Sequence, residues 1–160
     1  MHRNKFRSLH AANITLLITT FLLGFSAAHA QESMVFGKWK VDAEKTPNAP
    51  KDETRIFEDR GGGVFFSIRE GIDSQGREFF SEYAAKHDGK DYPRLVKGSP
   101  AINTIALTQV DPYTSTFVLK TDGKTTANGK HWISKDGKTL TVETTGINSN
   151  RTSVEVYKRK

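Results

Sequence analysis

Cysteine is absent from all 160 residues. No disulfide can staple the fold, and no thiolate can serve as nucleophile, metal ligand or lipid attachment point. Long apolar runs are also absent. The longest, Ile14 to Phe25, is about twelve residues, broken only by threonines and Gly24, whereas a membrane-spanning helix needs roughly 20. Histidine is scarce: of the five, only His87 and His131 fall after residue 30. They stand alone in different segments, and a zinc site wants three or four close ligands, so no metal site is expected and both histidines read as surface residues. No G-x-S-x-G or H-E-x-x-H occurs, and Gly61-Gly62-Gly63 has no helix after it to make a phosphate loop. Glu53 with Glu58, or Asp59 with Glu70, are acidic pairs of the kind found on exposed hairpins. No catalytic residue and no cofactor is expected; the chain does not read as an enzyme.

What is present begins with an export pattern. Arg3, Lys5 and Arg7 precede the apolar run, no acidic residue occurs before Gln31, and the run closes on small residues ending in Ala28-His29-Ala30. This is the order of a cleavable secretory signal. Cleavage after Ala30 divides the chain into a signal at 1–30 and a domain at 31–160, and places the domain in the periplasm or outside the cell without a stable membrane anchor. Three of the 24 basic residues belong to the signal, so 21 face 18 acids in the remainder. Acids and bases are interspersed, which suits a solvated surface and gives no nucleic-acid patch. Lys158-Arg159-Lys160 reads as a short basic tail. About 130 residues suffice for one core without staples.

Turn signals punctuate the domain every 9 to 14 residues or so, including three Asp-Gly-Lys triplets at 88–90, 122–124 and 136–138. Asp-Gly is a hairpin signal, because tight turns need the left-handed backbone that glycine adopts freely. Between the turns, side chains alternate: Gly37, Trp39 and Val41 against Lys38, Lys40 and Asp42; Leu140, Val142 and Thr144 against Thr139, Thr141 and Glu143. One face is core and the other meets water. The spacing predicts nine or ten strands and no substantial helix. Pro93 predicts an edge or kinked fifth strand, and Asn128-Gly129 a bulge or a further turn. Consecutive short hairpins leave two unpaired edges unless the sheet closes on itself. The expected fold is therefore all-β: a single antiparallel up-and-down meander barrel of about 8–10 strands, preferred to a sandwich because nearly all connections are short.

Gly37-Lys38-Trp39 opens the first strand, and G-x-W at that place is the signature that opens lipocalin and avidin barrels. With the meander behind it, residues 34–158 resemble the small bacterial exported lipocalin-like proteins. The resemblance implies that Gly37 and Trp39 are structural, with Trp39 plugging the closed end of the barrel. It also implies that a basic residue from the last strand, Arg151 or Arg159, lies across the indole. There are departures. A second lipocalin motif is not recognisable, no helix follows the last strands, and the loop from Ala43 to Asp52 has no room for the helix pair of fatty-acid-binding proteins. Beside Trp39 only Trp132 remains, too few tryptophans for an avidin biotin site.

A barrel of this size holds one small ligand or is filled by its own side chains. The expected inward faces offer Phe66, Phe79, Tyr83, Leu107, Phe117, Trp132, Leu140 and Val154. Arg77 shares the face of Phe79 and Tyr83, and Arg55 that of Phe57, so each is a candidate to hold a carboxylate or phosphate. The candidate binding set is Arg55, Phe66, Arg77, Phe79, Tyr83, Phe117 and Trp132, with a small amphipathic molecule as the expected partner. The alternative is a protein-binding envelope accessory or inhibitor module with a filled core.

Overall fold

The computed structural model describes residues 34–160; the signal expected at 1–30 lies outside the described residues. Ten strands follow one another: β1 (Gly37–Val41), β2 (Asp52–Asp59), β3 (Phe65–Ile72), β4 (Glu78–Ala85), β5 (Asp88–Val96), β6 (Asn103–Asp111), β7 (Thr114–Thr121), β8 (Lys124–Ile133), β9 (Thr139–Gly146) and β10 (Thr152–Arg159). Each pairs antiparallel with the next, and β10 returns to β1 through Trp39↔Arg159, Lys40↔Lys158 and Val41↔Tyr157. The sheet is thus a closed meander barrel without a free edge, as the run of short hairpins requires.

The side-chain period of two decides what lies inside. Phe57, Phe65, Ala85, Ile105, Leu107, Phe117, Ile133, Leu140, Val142 and Tyr157 form one continuous buried cluster around Trp39. Threonine and lysine fill many of the alternate positions outside. Asp122 and Gly123 both have positive φ (49° and 76°), and Thr121 pairs with Lys124. This two-residue turn matches the twist of the strands it joins.

Three local expectations change. Asp88-Gly89-Lys90 is not a hairpin turn: the register slips between Asp88 and Asp91 against β6, so the triplet is a bulge inside β5. Pro93 does not mark an edge. It lies just beyond the short ladder that joins Ser81–Tyr83 to Arg94–Val96, so β5 is a weakly paired seam within a closed wall. Asn128-Gly129 makes neither a bulge nor a turn, because Phe117 pairs directly with Gly129 and lays its ring there. A Cβ on Gly129 would stand 2.2 Å from Phe117 Cζ and 2.3 Å from the Glu143 carbonyl oxygen. The nearby irregularity falls between Leu119 and Lys120, opposite Thr125–Ala127.

Trp39 is fully buried and donates its indole N–H to the Val35 carbonyl at 2.8 Å. The cation over it is Arg159, 4.3 Å from the ring centroid. Arg151 is exposed beside the β9–β10 turn, which settles the choice between the two arginines. Arg159 also donates to the carbonyls of Phe36 (2.8 Å), Gly137 (2.9 Å) and Met34. It passes so close to Gly37 that a Cβ there would meet its Nη1 at 2.9 Å. One side chain therefore ties the last strand, the segment before β1 and the β8–β9 turn over the plug. The β1–β2 loop has no helix, and Thr46 fastens it to both the N–H and the carbonyl of Val156.

Candidate functional site

Aromatic packing fills part of the barrel. Beyond it the inward faces turn polar: Glu53, Arg55, Ser67, Arg69, Ser81, Arg94, Ser153 and Glu155 replace the rings. Glu53 is fully buried. Its Oε1 accepts from Arg69 Nε at 2.7 Å and its Oε2 from Arg69 Nη2 at 2.9 Å, the bidentate geometry that suits guanidinium to carboxylate. Arg55 Nε lies 3.2 Å from Glu53 Oε1 and donates to the Tyr157 hydroxyl at 2.8 Å. Glu155 joins both arginines at 2.9 Å, one oxygen to each. The Tyr157 hydroxyl sits 2.5 Å from Glu53 Oε1 and 2.9 Å from Glu155 Oε2.

The electrostatics follow from this geometry. Burial pulls the Arg55 pKa down, but Tyr157, Glu155 and Glu53 outweigh it, and the net shift is upward. Burial pushes the Glu155 carboxyl up, yet Arg55 and Arg69 hold it below the ordinary carboxylate value. Burial raises the Tyr157 hydroxyl, with the two glutamates adding to the effect, so it remains a neutral donor. Paired and hydrogen-bonded, the four charges satisfy the condition under which buried ions are tolerated.

Next to this network lies a cavity of about 160 Å³. One wall is Arg55, Arg69, Arg94 and Glu155; the facing wall is Ile105, Phe117, Leu119 and Val142. It reaches solvent, since the Arg69 and Glu155 side chains keep 31 % and 18 % of their exposure. Arg94 differs from its neighbours. Among the described residues it has no carboxylate within ion-pairing distance, and its side chain reaches Ser81 Oγ at 3.3 Å. Burial, then the nearby Arg69 and Arg55, lower its pKa from the ordinary arginine value.

Deeper in the barrel, His131 is buried and stacks with Phe57 (centroids 5.9 Å apart) and Phe65 (6.1 Å). Burial, together with His87 and Arg55, brings its pKa down to about 3, so the imidazole is neutral at physiological pH. The expectation that both histidines lie on the surface is corrected here: His131 is interior, and His87 is half-buried with its ring edge-on to Phe65 at 5.2 Å.

No known protein-family model matches the chain, and no curated protein is similar to it.

Of the residues singled out from sequence, Arg55, Tyr83 and Phe117 line the cavity. Phe79 has the inward parity but sits beneath the Arg69 guanidinium, 4.8 Å from it, away from the cavity lining. Phe66 and Trp132 stand on the outer wall, under Arg60 (4.3 Å) and Lys130 (5.1 Å) respectively. Val154 also faces out, between Ser153 and Glu155, which line the cavity. Arg77 is exposed and bonded to Asp73. In β8 and β10 the sequence pattern puts the apolar residue inside, and in β3 the second of two adjacent phenylalanines. The true inward residues are Phe65, His131 and Glu155, each one position away, and a slip of one residue exchanges every side chain between faces.

The residues missed are Glu53, Arg69, Arg94, Glu155 and Tyr157. A signal for some of them existed: Glu53, Arg55 and Phe57 alternate on β2, as do Ser153, Glu155 and Tyr157 on β10. A charged residue in step with the core face marks an inward charge.

Proposed function

We propose that this is an exported, lipocalin-like binding protein that takes one small amphipathic molecule into its barrel. The observation that carries the reading is the two-faced cavity, with arginines on one wall and Ile105, Phe117, Leu119 and Val142 on the other. Sites for small organic molecules combine an apolar lining with a few convergent polar groups that fix orientation. A barrel whose role was purely structural would be expected to close this space with side chains, since each unfilled volume costs stability. The charged, apolar, small-residue order at 1–30 supports export.

Native mass spectrometry of the protein purified from its own host tests both halves. The expected mass is that of a chain beginning at Gln31, carrying a non-covalent adduct that denaturation releases. A chain retaining residues 1–30 refutes export. A single unadducted species, unchanged after incubation with an organic extract of the host, refutes ligand binding.

A further inference from the structure

The ligand class is constrained by charge and by volume, and both are read from the cavity wall. Four charged side chains line it, Arg55, Arg69, Arg94 and Glu155, and the fully buried Glu53 stands behind Arg55 and Arg69. Arg55 and Arg69 are engaged by the carboxylates of Glu53 and Glu155 through contacts of 2.7 to 3.2 Å. Both oxygens of Glu155 are taken, one by each arginine, and both oxygens of Glu53 accept from Arg69. The fifth group, Arg94, is left over. A guanidinium carries five N–H donors, and Arg94 directs one nitrogen to Ser81 Oγ at 3.3 Å. With Glu53 counted behind the wall, three guanidiniums against two carboxylates leave one positive charge, and that charge sits on Arg94.

Volume sets the other limit. A cavity of about 160 Å³ is close to the roughly 150 Å³ space that accommodates a single benzene ring in an apolar protein interior. A long acyl chain or a polycyclic molecule exceeds it and would have to project through the solvent opening. The apolar wall offers the ring contact with Phe117 and Leu119, and the ring's substituent then faces Arg94.

From this count, and resting on the reading of the barrel as a small-molecule binder, we propose that the cavity takes a monovalent organic anion of single-ring size. Its carboxylate sits on Arg94 and its ring lies against Phe117 and Leu119. The wall's one surplus charge discriminates against dianions, because a second negative charge would face Glu155 with no cation to receive it. The anion also relieves Arg94. That cation is disfavoured by burial and by two neighbouring guanidiniums, and a bound carboxylate supplies the partner it lacks.

The test is a titration of the purified protein, followed by amide chemical shifts, with benzoate, benzamide, phenylphosphate and hexadecanoate in parallel. Benzoate is expected to bind saturably, with shifts centred on Arg94, Phe117 and Leu119. It should bind roughly tenfold or more tightly than its uncharged isostere benzamide, the scale of a charge-assisted hydrogen bond. In Arg94→Gln, that preference is expected to vanish while the thermal midpoint stays near that of the parent. Should Arg94→Gln fail to fold, Arg94→Lys replaces it: a point charge without the planar fork should weaken benzoate and leave benzamide unchanged. Hexadecanoate binding without benzoate binding overturns the size limit, and phenylphosphate binding more tightly than benzoate overturns the charge count. In both cases the broader binding reading survives. Equal benzoate affinity in parent and Arg94→Gln overturns the anchor. Absence of binding by all four probes overturns the binding reading as well.

Discussion

Lowering the pH from 7 to 5 is expected to destabilise the barrel by about 2 kcal/mol through His131 alone. The imidazole is buried against Phe57 and Phe65, and its pKa falls from 6.5 in the unfolded chain to about 3. The folded value is the lower one, so the unfolded chain binds the proton first. The stabilisation is complete above the unfolded pKa of 6.5 and drains away as pH falls towards the folded value near 3. At pH 5 the unfolded imidazole is almost wholly charged while the folded one is almost wholly neutral. The linkage is then about 1.5 pH units, close to 2 kcal/mol. With a urea dependence of about 2 kcal/mol per molar for a domain of this size, the midpoint should drop by roughly 1 M. Carboxylates also titrate on acidification, so the measurement is a difference between the parent and His131→Gln, which keeps a planar polar side chain and cannot charge. Urea unfolding curves at pH 7 and pH 5 should show the parent losing about 2 kcal/mol more than the variant. Equal losses would mean that the imidazole is already solvated in the folded state, and the placement of His131 would then be wrong.

Other perturbations probe the closed end, the charge network and the packed strands. Arg159→Ala removes the cation over Trp39 and three donors to backbone carbonyls; a loss of about 2 kcal/mol in chemical unfolding is expected, with a red-shifted Trp39 emission as the indole meets water. Glu53→Gln leaves two interior guanidiniums sharing Glu155 alone, so a loss of about 3 kcal/mol or more is expected in the same assay; a loss below about 1 kcal/mol would show that water already screens the network. Gly129→Ala drives a methyl against Phe117 and an immobile carbonyl, and should cost about 1–3 kcal/mol as overpacking. Pairing it with Phe117→Leu should recover part of that cost, since the two sites touch and are not additive.

The architecture was legible because its determinants are local. Strict alternation and glycine turns specify short antiparallel hairpins, and a meander of them closes most simply into a barrel. Trp39 was legible because G-x-W fixes its place at the start of β1. Arg159 was less so: both candidate arginines lie at the ends of one strand, and only closure, which sets Trp39 opposite Arg159, separates them. Asp88-Gly89-Lys90 reads like the other Asp-Gly-Lys triplets. Its conversion to a bulge depends on β6 across the ladder, which no local signal reports.

The charged interior was illegible for a more instructive reason. Reading the larger apolar residue as inward works where a barrel is filled with hydrocarbon, and it found Leu107, Phe117 and Leu140. It fails where the inward residue is polar, as at His131 and Glu155, whose apolar neighbours Trp132 and Val154 then face out, Trp132 beneath Lys130; Phe65 and Phe66 are alike, so size does not choose between them. Glu53, Arg55, Arg69 and Glu155 are too costly to desolvate singly, so they enter the barrel together, and the network has to be recognised as a unit or not at all. A filled, purely structural core has no use for such a group, since hydrocarbon of similar volume would stabilise the fold at least as well. Its retention beside a partly open cavity therefore favours a role in which polarity inside the wall is needed, and the neighbouring Arg94, outside the ion-pair network, is the cation left without a carboxylate.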